Sequence, residues 1–148
     1  MGPAIDILVV DDSPDDGYVF QEALGQASPE VSVRWLASGE EALAFLLKGR
    51  ELLHSCPAKL VVLDMNMPGL DGMETLRQIR ESSVIGSVPV VMLSSCRSRL
   101  DVERAYKLGA NAFYKKPISF EGYVEKVRVL VQHWLCQAEL PYIYKAIA

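Results

Sequence analysis

The chain has 148 residues, half of them hydrophobic and 23% charged, with a formal net charge of −4. That length suits one domain with a real core, and the apolar share argues against a disordered chain. There is no Lys/Arg block and no apolar run of the ~18 to 20 residues that a bilayer span needs, so neither a nucleic-acid partner nor a membrane helix is expected.

The opening, MGPAIDILVVDD, lacks the basic start and cleavage site of a signal peptide. Asp6 stands where a myristoylation signal wants Ser or Thr, so a cytoplasmic location is expected. Ile5 to Val10 is a short apolar run rich in β-branched residues, the pattern of a buried strand, and it ends in Asp11-Asp12. Ser13 can cap a helix, Pro14 suits its first turn, and Asp15 and Asp16 complement its dipole. The helix should reach about Gln26, with Val19, Phe20, Ala23 and Leu24 inward, before Ser28-Pro29-Glu30 breaks it. From Val31 to Leu36, Val31, Val33 and Trp35 alternate with Ser32 and Arg34, the period of a less buried strand near a sheet edge. Ser38-Gly39-Glu40-Glu41 starts a second helix with Ala42, Leu43, Phe45, Leu46 and Leu47 on or near its inner face. Lys48 to Ala58, which holds Gly49 and Pro57, reads as a long connection.

Leu60 to Leu63 is four apolar residues in succession, as in a strand buried on both faces, and it stops at Asp64. Asn66, Pro68, Gly69, Asp71 and Gly72 make the next segment turn-rich. Met73, Leu76 and Ile79, with the polar Arg77 and Arg80 beside them, read as a third helix, and Val84 to Val88 as a loop. Pro89 to Leu93 is another buried strand, closed by Ser94-Ser95. Arg97 to Leu108 is a fourth helix ended by Gly109, and Ala110 to Tyr114 a short strand leading into Lys115-Lys116-Pro117. Ser119 caps a last helix with Tyr123, Val124, Val127, Val131 and Trp134 on one face. Cys56, Cys96 and Cys136 give neither a disulfide framework nor zinc spacing, and His54 and His133 read as surface or boundary residues. Met65, Met67 and Met73 read as gap-filling packing.

Strands alternating with helices imply right-handed crossovers and a parallel sheet covered on both faces, a three-layer α/β sandwich. Such sheets place their chemistry beyond the carboxyl ends of the strands. Those ends carry Asp11-Asp12, Asp64, Ser94-Ser95 and Lys116. Taken singly, each has an ordinary structural use. Converging carboxylates repel one another and call for a hard cation with room for water, which suits Mg²⁺. A hydroxyl and an ammonium beside it would serve the remaining oxygens of a phosphoryl group.

This set, Asp11-Asp12, Asp64, Ser94 and Lys116-Pro117, resembles the receiver domain of two-component response regulators, and the separations from Asp64 to Ser94 and to Lys116 also fit. The resemblance covers about residues 5 to 135 of a single domain and implies a doubly wound (βα)5 sandwich with strand order 2-1-3-4-5. It implies that Asp64 accepts a phosphoryl group from a histidine kinase. Asp12 would be the main carboxylate ligand of Mg²⁺ or Mn²⁺, with Asp11 helping and the backbone carbonyl of Asn66 as a further ligand beside Asp64. Ser94, where Thr is commoner, would hydrogen-bond a phosphoryl oxygen, and Lys116 would pair with another. Pro117 matches a position whose peptide bond is frequently cis. Phe113, where Tyr is common, would be the switch aromatic.

After the fifth helix, Trp134 to Ile147 read WLCQAELPYIYKAI, apolar for a tail. Leu135, Leu140, Tyr142, Ile143 and Ile147 are candidates to fold back or cover a partner. No output domain of the ~50 residues one needs is expected, so the output would be the receiver surface or a phosphorelay step. The long connection and the WL…LP tail resemble small stand-alone receivers paired with phytochrome-type histidine kinases. That likeness implies a homodimer through the fifth helix and the tail 136–148, on the face of the fourth helix, fifth strand and fifth helix. The chain is expected to be a switch and not an enzyme. Rival readings are an Asp-nucleophile phosphohydrolase, which wants a DxDx[TV] run where Asp11-Asp12-Ser13-Pro14 stands, and a pseudo-receiver that binds partners without phosphorylation.

Overall fold

Apolar strand runs set the architecture. In the computed structural model, which describes residues 5–53, 56–95 and 98–141, they form one parallel five-stranded sheet. The strands are β1 (Ile5–Val10), β2 (Val33–Leu36), β3 (Ala58–Leu63), β4 (Val90–Ser94) and β5 (Ala112–Lys115), in the order β2-β1-β3-β4-β5. The expected strand order holds, and β2, the alternating strand, lies at the edge. His54, Cys96, Arg97, Tyr142, Ile143 and Ile147 lie outside the described residues, and the fourth helix, expected from Arg97, begins at Arg99 after an extended Ser98.

Alternation along each strand splits the core into two layers. Leu8, Val10, Val61, Leu63, Val90 and Met92 point to one face, under α2 (Gly39–Leu53), α3 (Gly72–Glu81) and α4 (Arg99–Lys107). Ile7, Val9, Leu60, Val62, Val91 and Leu93 point to the other, under α1 (Pro14–Ala27) and α5 (Phe120–Leu130). A strand covered on both sides has no polar face to show, which is why Leu60 to Leu63 reads as an unbroken apolar run. Met65, Met67, Met73 and Cys56 are buried in the first layer, and Cys136 is exposed. Among the described residues no helix is long and apolar enough to cross a membrane.

Ser13, Asp71, Ser98 and Ser119 cap α1, α3, α4 and α5, each accepting from a backbone N–H three residues on. Several boundaries move. The second helix does not stop at Leu47, which is exposed, but continues to Leu53 through most of the expected connection. The segment KGRELL is made of good helix formers, and one internal glycine lowers helix propensity without ending the helix. β2 begins at Val33 and not Val31. Pro89 stays out of β4 because it has no N–H for the ladder; its carbonyl accepts from Val61 N–H at 2.9 Å. β5 starts at Ala112, since Asn111 uses its side chain to accept from Val90 N–H at 2.8 Å.

Beyond α5 the chain continues as a π-helical segment, Val131–Gln137, closed by Ala138 N–H on the His133 carbonyl at 2.7 Å. Trp134 and Leu135 pack against the α1/α5 layer, and Leu140 crosses to the opposite layer. Part of the tail therefore folds back on its own domain.

Candidate functional site

Each central strand ends by delivering a polar group to the same edge of the sheet. Asp64 N–H donates to the Val10 carbonyl at 2.9 Å and Asp11 N–H to that of Leu36 at 3.1 Å, so the ends of β3, β1 and β2 stay level. The chain then turns sharply, and Gly72 opens α3 with its N–H on the Met65 carbonyl at 2.9 Å. A Cβ on Gly72 would lie 2.1 Å from the Asp64 carbonyl oxygen, so α3 can begin this close to the strand end only with glycine there. From the other side, the Trp35 indole N–H donates to the Asp11 carbonyl at 2.8 Å, and Asp11 Oδ1 accepts from Ser13 N–H at 3.0 Å.

Asp11 and Asp64 are buried and Asp12 is exposed. One oxygen from each lies within 4.8 Å of the others. Lys116 reaches into this group: its Nζ is 2.8 Å from Asp11 Oδ2, 2.8 Å from Asp16 Oδ2 and 3.2 Å from Asp64 Oδ1. Burial pushes the Asp64 carboxyl up to about 6, the Asp11 charge pushes the same way, and Lys116 only partly offsets them. Burial likewise raises Asp11 against the hydrogen bonds from Lys116 and Ser13. Burial works against the Lys116 ammonium too, yet its hydrogen bonds to Asp11 and Asp16 and the charges of Asp11 and Asp64 hold it above the ordinary lysine value. One ammonium does not neutralise this set of acids. The residual negative charge and the hard carboxylate oxygens of Asp11, Asp12 and Asp64 fit a divalent cation such as Mg²⁺.

Asp11, Asp12, Asp64 and Lys116 are thus brought together as expected. Ser94 closes β4 fully buried, and its carbonyl accepts from Lys116 N–H at 2.8 Å. Leu63 pairs with Met92, so Ser94 stands one position further along its strand than Asp64 does. Ser95 is exposed. Phe113 pairs with Met92 in the β4–β5 ladder, half-buried against the α2/α3/α4 layer. Asn66 is exposed in the loop after β3. The Lys116–Pro117 bond is trans, the family's frequent cis form notwithstanding. Asp16 is the residue that sequence reasoning missed as part of the site. The signal available was its place one turn into a capped helix whose N-terminus follows Asp11-Asp12.

The response regulator receiver domain family matches residues 7–128. The chain belongs to that family. This receiver is 31% identical over 135 residues to the response regulator Rcp1 of Synechocystis sp., covering 91% of this chain and 92% of that one. It is 33% identical over 129 residues to a probable methanogenesis regulatory protein, FilR2, of Methanothrix harundinacea, covering 87% and 83%. Among solved structures, the phosphorylated cyanobacterial phytochrome response regulator RcpA matches with a TM-score of 0.82 at 31% identity, over 93% of this receiver and 99% of that chain. The Mn²⁺-bound form of Rcp1 matches with a TM-score of 0.79, over 93% and 99%. The (βα)5 sandwich and the likeness to phytochrome response regulators, both expected from the sequence, hold.

Proposed function

We propose that this receiver is a phosphorylatable response regulator that takes a phosphoryl group on Asp64 from a histidine kinase and responds by changing its surface. The observation that carries the reading is the Lys116 ammonium 2.8 Å from Asp11 and 3.2 Å from Asp64, beside a third acid, Asp12. The phytochrome response regulators among its relatives support a phytochrome-type kinase as partner, and a cytoplasmic setting goes with that reading.

At neutral pH a carboxyl with a pKa of about 6 is mostly ionised, so Asp64 is available as a nucleophile. Its oxygen forms a P–O bond while the P–N bond of the donor phosphohistidine breaks, leaving an acyl phosphate and a neutral imidazole once the leaving nitrogen has its proton. Asp11, Asp12, Asp64 and the Asn66 carbonyl would hold Mg²⁺ or Mn²⁺, which when bound supplies positive charge against the phosphoryl oxygens. Lys116, 3.2 Å from Asp64, would supply a further positive charge to the phosphoryl oxygens, and the Ser94 hydroxyl would supply a hydrogen bond once β4 presents it. Movement of Ser94 would free the half-buried Phe113 to pack more deeply, carrying the change to the α4-β5-α5 face. The receiver turns over no diffusing substrate in this reading; it is a switch, and the apolar Tyr106 and Val129 exposed on α4 and α5 suit partner or self-association.

Incubation with Mg²⁺ and acetyl phosphate or phosphoramidate, followed by intact mass, tests this. A single phosphoryl adduct is expected on the wild-type chain and none on Asp64→Asn. No adduct with either donor would overturn the reading in favour of a phosphorylation-independent binding module.

A further inference from the structure

An ammonium has three N–H donors, and those of Lys116 face three carboxylates, Asp11, Asp16 and Asp64. Two of these change their business during the reaction proposed above. Asp64 gives an oxygen to phosphorus, and Asp11 belongs to the cation set. Asp16 does neither, since it lies outside the group of acids that could share a metal ion. It is the one partner that Lys116 can keep throughout.

The local structure holds Asp16 in place through its backbone. Ser13 caps α1 and accepts from Asp16 N–H at 3.2 Å, while Pro14 stiffens the first turn. The next residue, Gly17, lies flat against Trp35, where a Cβ would sit 2.5 Å from the indole nitrogen. That same indole N–H donates to the Asp11 carbonyl. One tryptophan therefore ties the turn bearing Asp16 to the strand end bearing Asp11. The contact also differs from an ordinary surface pair. Arg99 and Glu103 meet at 3.6 Å with side chains 92% and 54% exposed, whereas Asp16 meets an ammonium whose side chain is 9% exposed. Asp15, in the same turn, is exposed and makes no ion pair among the described residues. Service to the helix dipole is thus available without Asp16 touching Lys116.

We propose that Asp16 is a positioning residue: it holds the Lys116 ammonium at the crevice so that a phosphoryl oxygen arriving on Asp64 meets a donor already in place. The proposal rests on the reading of Asp64 as phosphoacceptor. A lysine head tethered only by groups that are changing partners must be re-ordered at the moment of transfer, and that loss of orientation slows the step.

The test uses the full chain with Asp16→Asn, Asp16→Glu and Asp15→Asn. With phosphoramidate and Mg²⁺, the Asp64 carboxylate forms its P–O bond as the donor's P–N bond breaks and ammonia leaves; intact mass follows the rate. Asp16→Asn should slow adduct formation about tenfold, Asp16→Glu should recover most of it, and Asp15→Asn should match wild type. In metal-free, ¹⁵N-lysine-labelled protein, the Lys116 ammonium signal should be protected from exchange in wild type and lost in Asp16→Asn. A wild-type rate or an unchanged ammonium signal in Asp16→Asn overturns the proposal alone. If Asp16→Asn does not fold, Asp16→Ser decides by the same two readouts: a wild-type rate or a Lys116 ammonium signal still protected from exchange overturns the proposal. No adduct on the wild-type chain overturns the phosphoacceptor reading and this one together.

Discussion

Asp64 carries a charge that its surroundings oppose. A carboxyl whose folded pKa lies above its unfolded value stabilises the fold most when protonated. Its contribution is complete below the unfolded 3.8 and is lost as pH rises through about 6. Asp64→Asn removes that penalty and leaves Lys116 with Asp11 and Asp16. In metal-free buffer the variant should exceed wild type in stability at pH 7 by on the order of 1–3 kcal/mol. The gain should close as pH falls to about 4. Urea denaturation at both pH values measures this; equal midpoints at pH 7 would count against it. The acids at the ends of β1 and β3 and the lysine after β5 are legible in the sequence because a parallel sheet brings its carboxyl ends together whatever their separation along the chain. Asp16 is not, because an acid in the first turn of a helix already has a sufficient reason to be there.

The helices show a similar division at the next scale. α3 is legible through Met73, Leu76 and Ile79, which are all buried. Arg80, directly after Ile79, reads only as a polar filler. In the fold its guanidinium donates to the carbonyls of Gly109, Gly86 and Val88 and to Asn111 Oδ1 at 2.6–2.9 Å, tying α3 to the connections on either side of β4 and α4. Helical periodicity does not announce partners that come from a following loop and from the far end of another helix. Arg80→Ala leaves those carbonyls unpaired and should cost about 2–4 kcal/mol, with Arg80→Lys only partly restoring it because an ammonium lacks the planar fork. A urea midpoint within error of wild type for Arg80→Ala would show the network to be idle. The overlong connection before β3 failed for the opposite reason: Gly49 reads as a break, but hydrogen bonding carries α2 past it to Leu53.

For the whole molecule, Tyr106 on α4 and Val129 on α5 are 50% and 48% exposed, and the expected dimer through the α4-β5-α5 face would bury them. Among the described residues the buried indole nitrogen of Trp134 has no hydrogen-bond partner, and its ring packs against the α1/α5 layer. Light scattering on the full chain should give twice the chain mass, and Val129→Asp with Tyr106→Glu should halve it. Monomer mass for both proteins would sink the dimer. Periodicity foresees the layered sandwich because burial on two faces writes itself into every central strand. It is silent on the association surface, where an exposed valine looks like any other.

The indole that spans from the sheet edge to the Asp11 carbonyl gives the crevice an optical readout. Charge rearranging on the Asp11 carboxylate would act on the excited-state dipole of Trp35, whose indole N–H already donates to the Asp11 backbone carbonyl at 2.8 Å, while Trp134, beyond α5, supplies a steady background. Titration with Mg²⁺ should therefore change the emission of the wild-type chain and leave that of Trp35→Phe unchanged. The fold thus carries its own fluorophore hydrogen-bonded to the acidic end of β1, where cation binding would be read without a label.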